Sequence, residues 1–235
     1  MAIVSFAICE TTSLSDLREM ATKSQLDKQG WEEVVESFSA IQVWRSWLGD
    51  RYGELKELRH RSNPDDPPDI DLVFEKGQLG LEHTALEPPP LGHAEAIAKE
   101  INPGGGRAIP SIARQWARPE LESMAFWQNG SDSFMSDDYS AALESLVSSI
   151  RKKLKDQLSR IICVIDKASV GIMESEWLAS QLWHQMNTAD FELLGDRVVI
   201  LHHRCTDTHF FSALVCRDEP LQACLDGKPV ALPTA

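Results

Sequence analysis

Pro67-Pro68-Asp69-Ile70-Asp71-Leu72-Val73-Phe74, then Glu75-Lys76-Gly77-Gln78, then Leu79-Gly80-Leu81-Glu82-His83-Thr84 is the stretch whose reading decides the fold. Segments 69–74 and 79–84 read as short antiparallel strands joined by a tight turn. Period two places Asp69 and Asp71 on one face of the first strand, and Glu82 and Thr84 on one face of the second. His83 then points to the opposite side. Aspartate is depleted in strands, and two on one face repel unless something positive lies between them. Glu82 ends an apolar strand, where an unpaired carboxylate is costly. A hard divalent cation, Mg2+ or Mn2+, shared by Asp69 or Asp71 with Glu82 removes both difficulties.

Outward from this hairpin, 3–9 reads as a strand and 13–28 as a helix opening at Ser13 or Ser15 and ending before Gly30. Val34, Phe38, Ile41 and Leu48 recur at helical spacing over 31–48, and a shorter helical piece is expected over 52–61. Asn63-Pro64-Asp65-Asp66-Pro67-Pro68 then stops any helix. After Glu87-Pro88-Pro89-Pro90, the run Asn102-Pro103-Gly104-Gly105-Gly106-Arg107 lacks the preceding strand and GK[ST] ending of a phosphate loop, so it reads as a surface loop. In 138–159, Tyr139, Leu143, Leu146, Ile150 and Leu154 share a helical face that leads into the apolar run Ile161-Ile162-Cys163-Val164-Ile165, a buried central strand. A helix over 173–187 and strands over 197–203 and 210–216 complete the order. That order describes an α/β/α sandwich with a mixed central sheet. All 235 residues are expected in a single domain, with 1–30 an N-terminal extension and 85–135 an insertion.

Pro68-Asp69, followed on the next strand by Glu82-x-Thr84, resembles the PD-(D/E)XK nuclease superfamily, whose fold is the restriction-endonuclease-like one. Its signature places Pro-Asp on one strand and (Asp/Glu)-x-Lys on the next. The lysine position here holds Thr84, and Leu79-Gly80-Leu81-Glu82-His83-Thr84 is similar to superfamily variants reading Ile-Gly-Ile-Glu-x-Thr. The resemblance implies a metal-dependent nuclease, with Asp69, Asp71 and Glu82 as metal ligands and Asp69, Glu82, Thr84, Lys153 and Glu33 as catalytic residues. In such variants the cation comes from a later helix. Lys153 flanks the apolar face of Leu146, Ile150 and Leu154, whereas Lys155 points away. The same lysines also suit the negative pole of a helix end. A Glu on a helix before the hairpin is also implied; Glu33, bordering the face of Val34, Phe38 and Ile41, is preferred, Glu36 is expected to point away from that face, and Glu54 is the rival.

A net charge of −13 opposes easy phosphate binding, although cations gather at Arg51, Lys56, Arg59 and Arg61 and again at Arg151, Lys152, Lys153 and Lys155. The expected partner is nucleic acid, DNA ahead of RNA, with a protein partner or homodimer left open and no membrane. A catalytically degenerate member of the same fold, serving as a binding or scaffolding subunit, is the alternative. A mimic of DNA would need its 36 acids arrayed along one face, and they are scattered. Five cysteines without a CxxC fit reduced thiols and a cytoplasmic protein. His202, His203, Cys205, His209, Cys216 and Cys224 match no zinc-ligand spacing, and adjacent strand histidines face opposite ways.

Overall fold

The computed structural model describes residues 3–61, 68–86, 137–156, 160–166, 172–186, 188–204, 209–217 and 219–232. Expectations for Asp65, Asp66, the glycine run at 102–107, Cys205 and nearly all of the 85–135 insertion lie outside the described residues.

The described strands form one mixed sheet of nine in sequence order. They are β1 (Ile3–Ala7), β2 (Leu55–Arg61), β3 (Ile70–Phe74), β4 (Gly77–Leu86), β5 (Ile161–Asp166), β6 (Val198–Arg204), β7 (Phe210–Cys216), β8 (Gln222–Leu225) and β9 (Lys228–Val230). β1 to β4 run antiparallel to one another, β4, β5 and β6 are parallel, and β6 to β9 are again antiparallel. The hairpin register pairs Ile70 with Leu81 and Phe74 with Gly77, so Glu75 and Lys76 alone make the turn and Gly77 opens the second strand. All six residues of β5 are buried, as a central strand between two parallel neighbours requires.

Six helices cover the two faces among the described residues. On one face lie α1 (Leu14–Lys23), α2 (Lys28–Val43) and α3 (Arg45–Tyr52). Leu17, Val34, Phe38, Ile41 and Leu48 there meet Leu58, Ile70, Leu72, Leu81, Ile161 and Cys163 in one buried cluster. On the other face lie α4 (Asp137–Asp156), α5 (Ile172–Gln185) and α6 (Thr188–Leu194). Leu143, Leu146, Ile150 and Leu154 pack with Ile162, Val164, Val199 and Leu201 in a second cluster. The alternation of β5 and β6 residues between the two clusters is the period-two signature of a sheet covered on both sides. Residues 1–30, expected as an extension, supply an edge strand and the core residues Phe6, Leu17 and Ala21.

Three local expectations need correction. The helix expected over 13–28 ends at Lys23, and α2 opens at Lys28 with Gly30 inside it. The helix expected over 31–48 breaks at Trp44, which caps both α2 and α3. More consequential, the helical piece expected over 52–61 is strand β2 from Leu55 onward. Gly53 ends α3 with φ of 79°, a conformation that costs glycine little, and a Cβ there would lie 2.9 Å from the Glu75 side chain. The i, i+3 spacing of Leu55 and Leu58 looks helical, yet both side chains face the core because the register shifts between Leu55 and Glu57. A bulge adds one residue to the strand and turns a period of two into an apparent three. Strands β8 and β9 and the short helix α6 have no counterpart in the sequence expectations.

Candidate functional site

β3 and β4 bring Asp69 and Glu82 together at one end of the hairpin. Asp69 immediately precedes β3, and its Oδ2 accepts a 2.8 Å hydrogen bond from the His83 backbone N–H. β3 begins at Ile70 opposite Leu81, so that N–H lies beyond the paired part of β3. The Asp69 carboxylate takes a donor that the ladder would otherwise leave without a strand partner. Glu82 is partly buried on the α4 face, where its register neighbour is Ile162. Lys153, in the last turn of α4, reaches down from that face, and its Nζ lies 2.5 Å from Glu82 Oε2. Lys155 is exposed, as is Lys152.

Asp69 feels the charges of Glu82, Lys153 and Glu33. Burial pushes the Asp69 carboxyl up; the His83 N–H and the Lys153 charge oppose this, while the negative charges of Glu82 and Glu33 add to it, and the net shift is upward. Two neighbouring carboxylates, one desolvated, favour a cation between or beside them. Thr84 is half-buried, two residues along β4 on the same face as Glu82, and is paired in register with Val164.

Asp71 stands apart from this group. It lies two residues from Asp69, but both its oxygens are taken by Arg61: Nε to Oδ2 at 2.9 Å and Nη2 to Oδ1 at 3.1 Å and to Oδ2 at 2.8 Å. It is also buried. A carboxylate gripped by a guanidinium fork is neutralised and held in place, so Asp71, expected among the metal ligands, is engaged by Arg61 and set apart from Asp69 and Glu82. The pairing follows from β2 being a strand. Arg59 is opposite Asp71 in register, so Arg61 lies diagonally across the same face.

The Arg51–Arg61 cations expected to greet phosphate are likewise paired with acids. Arg51 meets Glu219, Lys56 meets Glu54 and Glu75, and Arg59 meets Glu57. Arg151 holds Asp190, with Nε 2.7 Å from Oδ1.

Glu33 comes from α2, on the opposite face of the sheet. Its Oε1 accepts from Gln29 at 2.9 Å and its Oε2 lies 3.1 Å from His60 Nε2 on β2. Burial pushes the Glu33 carboxyl up, but the hydrogen bonds from His60 and Gln29 and the charges of His83 and His60 together hold it below its ordinary value. Glu54, its rival, bonds Lys56 at the far end of β2, away from the hairpin end that carries Asp69. The structure brings in two further residues, one of them Glu36, which was expected to point away from the apolar face of α2 and instead meets the sheet. Glu36, one turn after Glu33, places Oε2 3.2 Å from His83 Nε2, and His60 partners Glu33. Alternation along β4 does turn His83 toward α2, so its acidic partner was in principle readable from a Glu at i, i+3 on that helix.

His202 and His203 face opposite ways, as expected of neighbours on a strand. His202 Nε2 lies 3.0 Å from Ser39 Oγ under α2, and burial, with the charges of Arg204 and His203, drives its pKa down to about 3 against the opposing charge of Glu36. His203 Nδ1 lies 3.0 Å from the Asp166 carbonyl on the other face. Among the described residues, no three His, Cys, Asp or Glu side chains are grouped to hold a metal ion. A cavity of about 390 Å³ lies elsewhere, lined by Glu10, Arg45, Asp50, Glu54 and Glu75 among others, and none of Asp69, Glu82 or Lys153 borders it. No described helix is long and apolar enough to cross a membrane.

Comparison with family models, curated proteins and solved structures finds no match to the chain.

Proposed function

We propose that the chain is a metal-dependent nuclease hydrolysing phosphodiester bonds, with Asp69, Glu82 and Lys153 as its centre. The observation that carries this reading is the arrival of Lys153 at Glu82. A lysine from a separate helix, 71 residues away in sequence, lies 2.5 Å from the carboxylate two positions before Thr84. It thereby places an ammonium beside the position where the resemblance calls for lysine. The order of α2, the antiparallel strands β2, β3 and β4, then α4 and the parallel strand β5 also supports the restriction-endonuclease-like fold.

The residues fit a divalent cation of the Mg2+ type. Such an ion takes one or two protein carboxylates and fills its remaining positions with water and substrate phosphate. Asp69 and Glu82 supply that number, and the Asp69 carboxyl, raised first by burial and further by the Glu82 charge, is one that a bound cation would hold ionised. Bound there, Mg2+ or Mn2+ would polarise the scissile phosphate and acidify an attacking water. Lys153 would leave Glu82 for a phosphate oxygen and stabilise the charge that develops on it. Thr84 would hydrogen-bond a water on the same face. Glu33, kept ionised by His60 and Gln29, would add negative potential from the α2 side. Nucleic acid, DNA ahead of RNA, is the proposed substrate; a cytoplasmic setting is proposed from the cysteine usage, and a mobile-element or phage-defence context from the resemblance alone.

One observation favours a second reading, a non-catalytic binding subunit of the same fold. The arginines around the hairpin are spent on acids, and the chain carries a net charge of −13. Incubation with plasmid, single-stranded DNA and RNA in Mg2+ or Mn2+ separates the two. Cleavage by the wild-type chain, lost in Glu82→Ala, supports the nuclease. Absence of cleavage of all three substrates in both metals, by folded protein, leaves the binding subunit.

A further inference from the structure

We propose that Glu36 and His83 position Asp69: the carboxylate on α2 holds the His83 ring, and the His83 backbone holds the Asp69 carboxylate. His83 is bonded on both sides. Its imidazole, on the α2 face, is 10% exposed and lies 3.2 Å from Glu36 Oε2. Its backbone N–H, directed past the start of β3, donates to Asp69 Oδ2 at 2.8 Å. The ring fixes how β4 lies against α2, and the N–H fixes where the Asp69 oxygen can go.

A second strut supports this arrangement. Glu33, one helical turn before Glu36, meets His60 of β2 at 3.1 Å, so α2 grips β2 and β4, the two strands that flank β3. Asp69 precedes β3 and so lies between two strands pinned to the same helix. The bridge from its carbonyl to β2, Arg61 N–H to Asp69 O at 2.9 Å, completes the frame. Ligating carboxylates depend on such outer partners, and losing one costs roughly ten- to hundredfold in metal affinity. Positioning of the carboxylate is structural; its consequence for metal binding rests on the nuclease reading above.

The test compares Glu36→Ala with Glu36→Gln, which retains an oxygen acceptor for the His83 ring, and with Ser39→Ala, which breaks a different α2-to-sheet contact. Amide hydrogen exchange at residue 83, followed by NMR, reads the Asp69 hydrogen bond without any metal. Calorimetric titration with Mn2+ reads the site itself. Expected are about tenfold faster exchange at His83 and about tenfold weaker Mn2+ binding in Glu36→Ala, with Glu36→Gln and Ser39→Ala within about twofold of wild type. Unchanged exchange in folded Glu36→Ala, or equal acceleration in Ser39→Ala, overturns the proposal. If Glu36→Ala does not fold, His83→Ala, which keeps the backbone donor but removes the ring that meets Glu36, carries the same expectations. If the wild type binds no Mn2+, the nuclease reading fails while the exchange measurement still decides the positioning claim.

Discussion

Asp69 and Asp71 are the same residue type, two positions apart, on the same side of the hairpin, and the fold treats them in opposite ways. Asp71 is buried and gripped at both oxygens by Arg61. Asp69 has one backbone donor, a neighbouring carboxylate and a lysine that is bonded to that neighbour instead. A guanidinium fork neutralises a carboxylate and holds it in place. A single ammonium on Glu82 is a point charge on a flexible stem and can be exchanged for another cation. Stability is invested in Asp71, and chemical potential is left at Asp69 and Glu82.

The largest effect expected from this contrast is catalytic. Lys153→Ala should reduce cleavage by roughly a hundred- to thousandfold, the usual loss for one charge-stabilising donor. Its Mn2+ affinity should survive or rise slightly, because a competing positive charge is gone. Cleavage rates and calorimetry on one preparation check both halves; a Lys153→Ala enzyme as fast as wild type refutes the role.

Next is stability. Arg61→Ala strands a buried carboxylate and should cost about 3 kcal/mol, the low end for breaking a buried pair, read from urea unfolding midpoints. A loss under about 0.5 kcal/mol, the scale of an ordinary surface substitution, would show the Asp71 pair to be incidental.

A smaller and signed effect concerns pH. The Asp69 carboxyl is raised in the folded protein, so its ionisation opposes folding above the folded pKa, and that cost fades as pH falls toward the unfolded value. Asp69→Asn should therefore be slightly more stable than wild type at pH 7, by less than about 1 kcal/mol, with the difference vanishing near pH 3. Glu33 is lowered, so it stabilises the fold above its unfolded pKa and loses that contribution as pH falls. Glu33→Gln should accordingly be less stable than wild type at pH 7 and converge with it in acid. Thermal unfolding across that range reads both, and like signs for the two variants would contradict the assignment. Smallest of all, Lys155→Ala, on the exposed side of α4, should change cleavage less than about twofold at moderate salt, where an exposed charge is largely screened.

Much of the hairpin and its surroundings was legible because period two and period 3.6 leave strong marks. The apolar run at Ile161, the face of Leu143, Leu146, Ile150 and Leu154, and the Asp69–Glu82 juxtaposition all came from periodicity. That a lysine of this helix would serve the site was implied by the resemblance, and helical phase only singled out Lys153 over Lys155. What escaped had a common cause. The bulge between Leu55 and Glu57 gave β2 the spacing of a helix, and that hid Arg61 as the partner of Asp71. One misjudged element thus hid one ion pair. His60 and Glu36 escaped for a different reason, since pairs between a helix and a sheet depend on three-dimensional packing that no local pattern encodes. The last hairpin of β8 and β9 is too short and too exposed to carry a strong period.

The most direct test of the contrast is Mn2+ titration calorimetry on wild type, Asp69→Asn, Glu82→Gln and Asp71→Asn, each first shown to be folded. The proposed site predicts that binding is largely lost in Asp69→Asn and Glu82→Gln but stays within about threefold of wild type in Asp71→Asn, because only the first two remove the negative charge of a proposed ligand. Equal affinity in all four proteins, or a loss confined to Asp71→Asn, would contradict it.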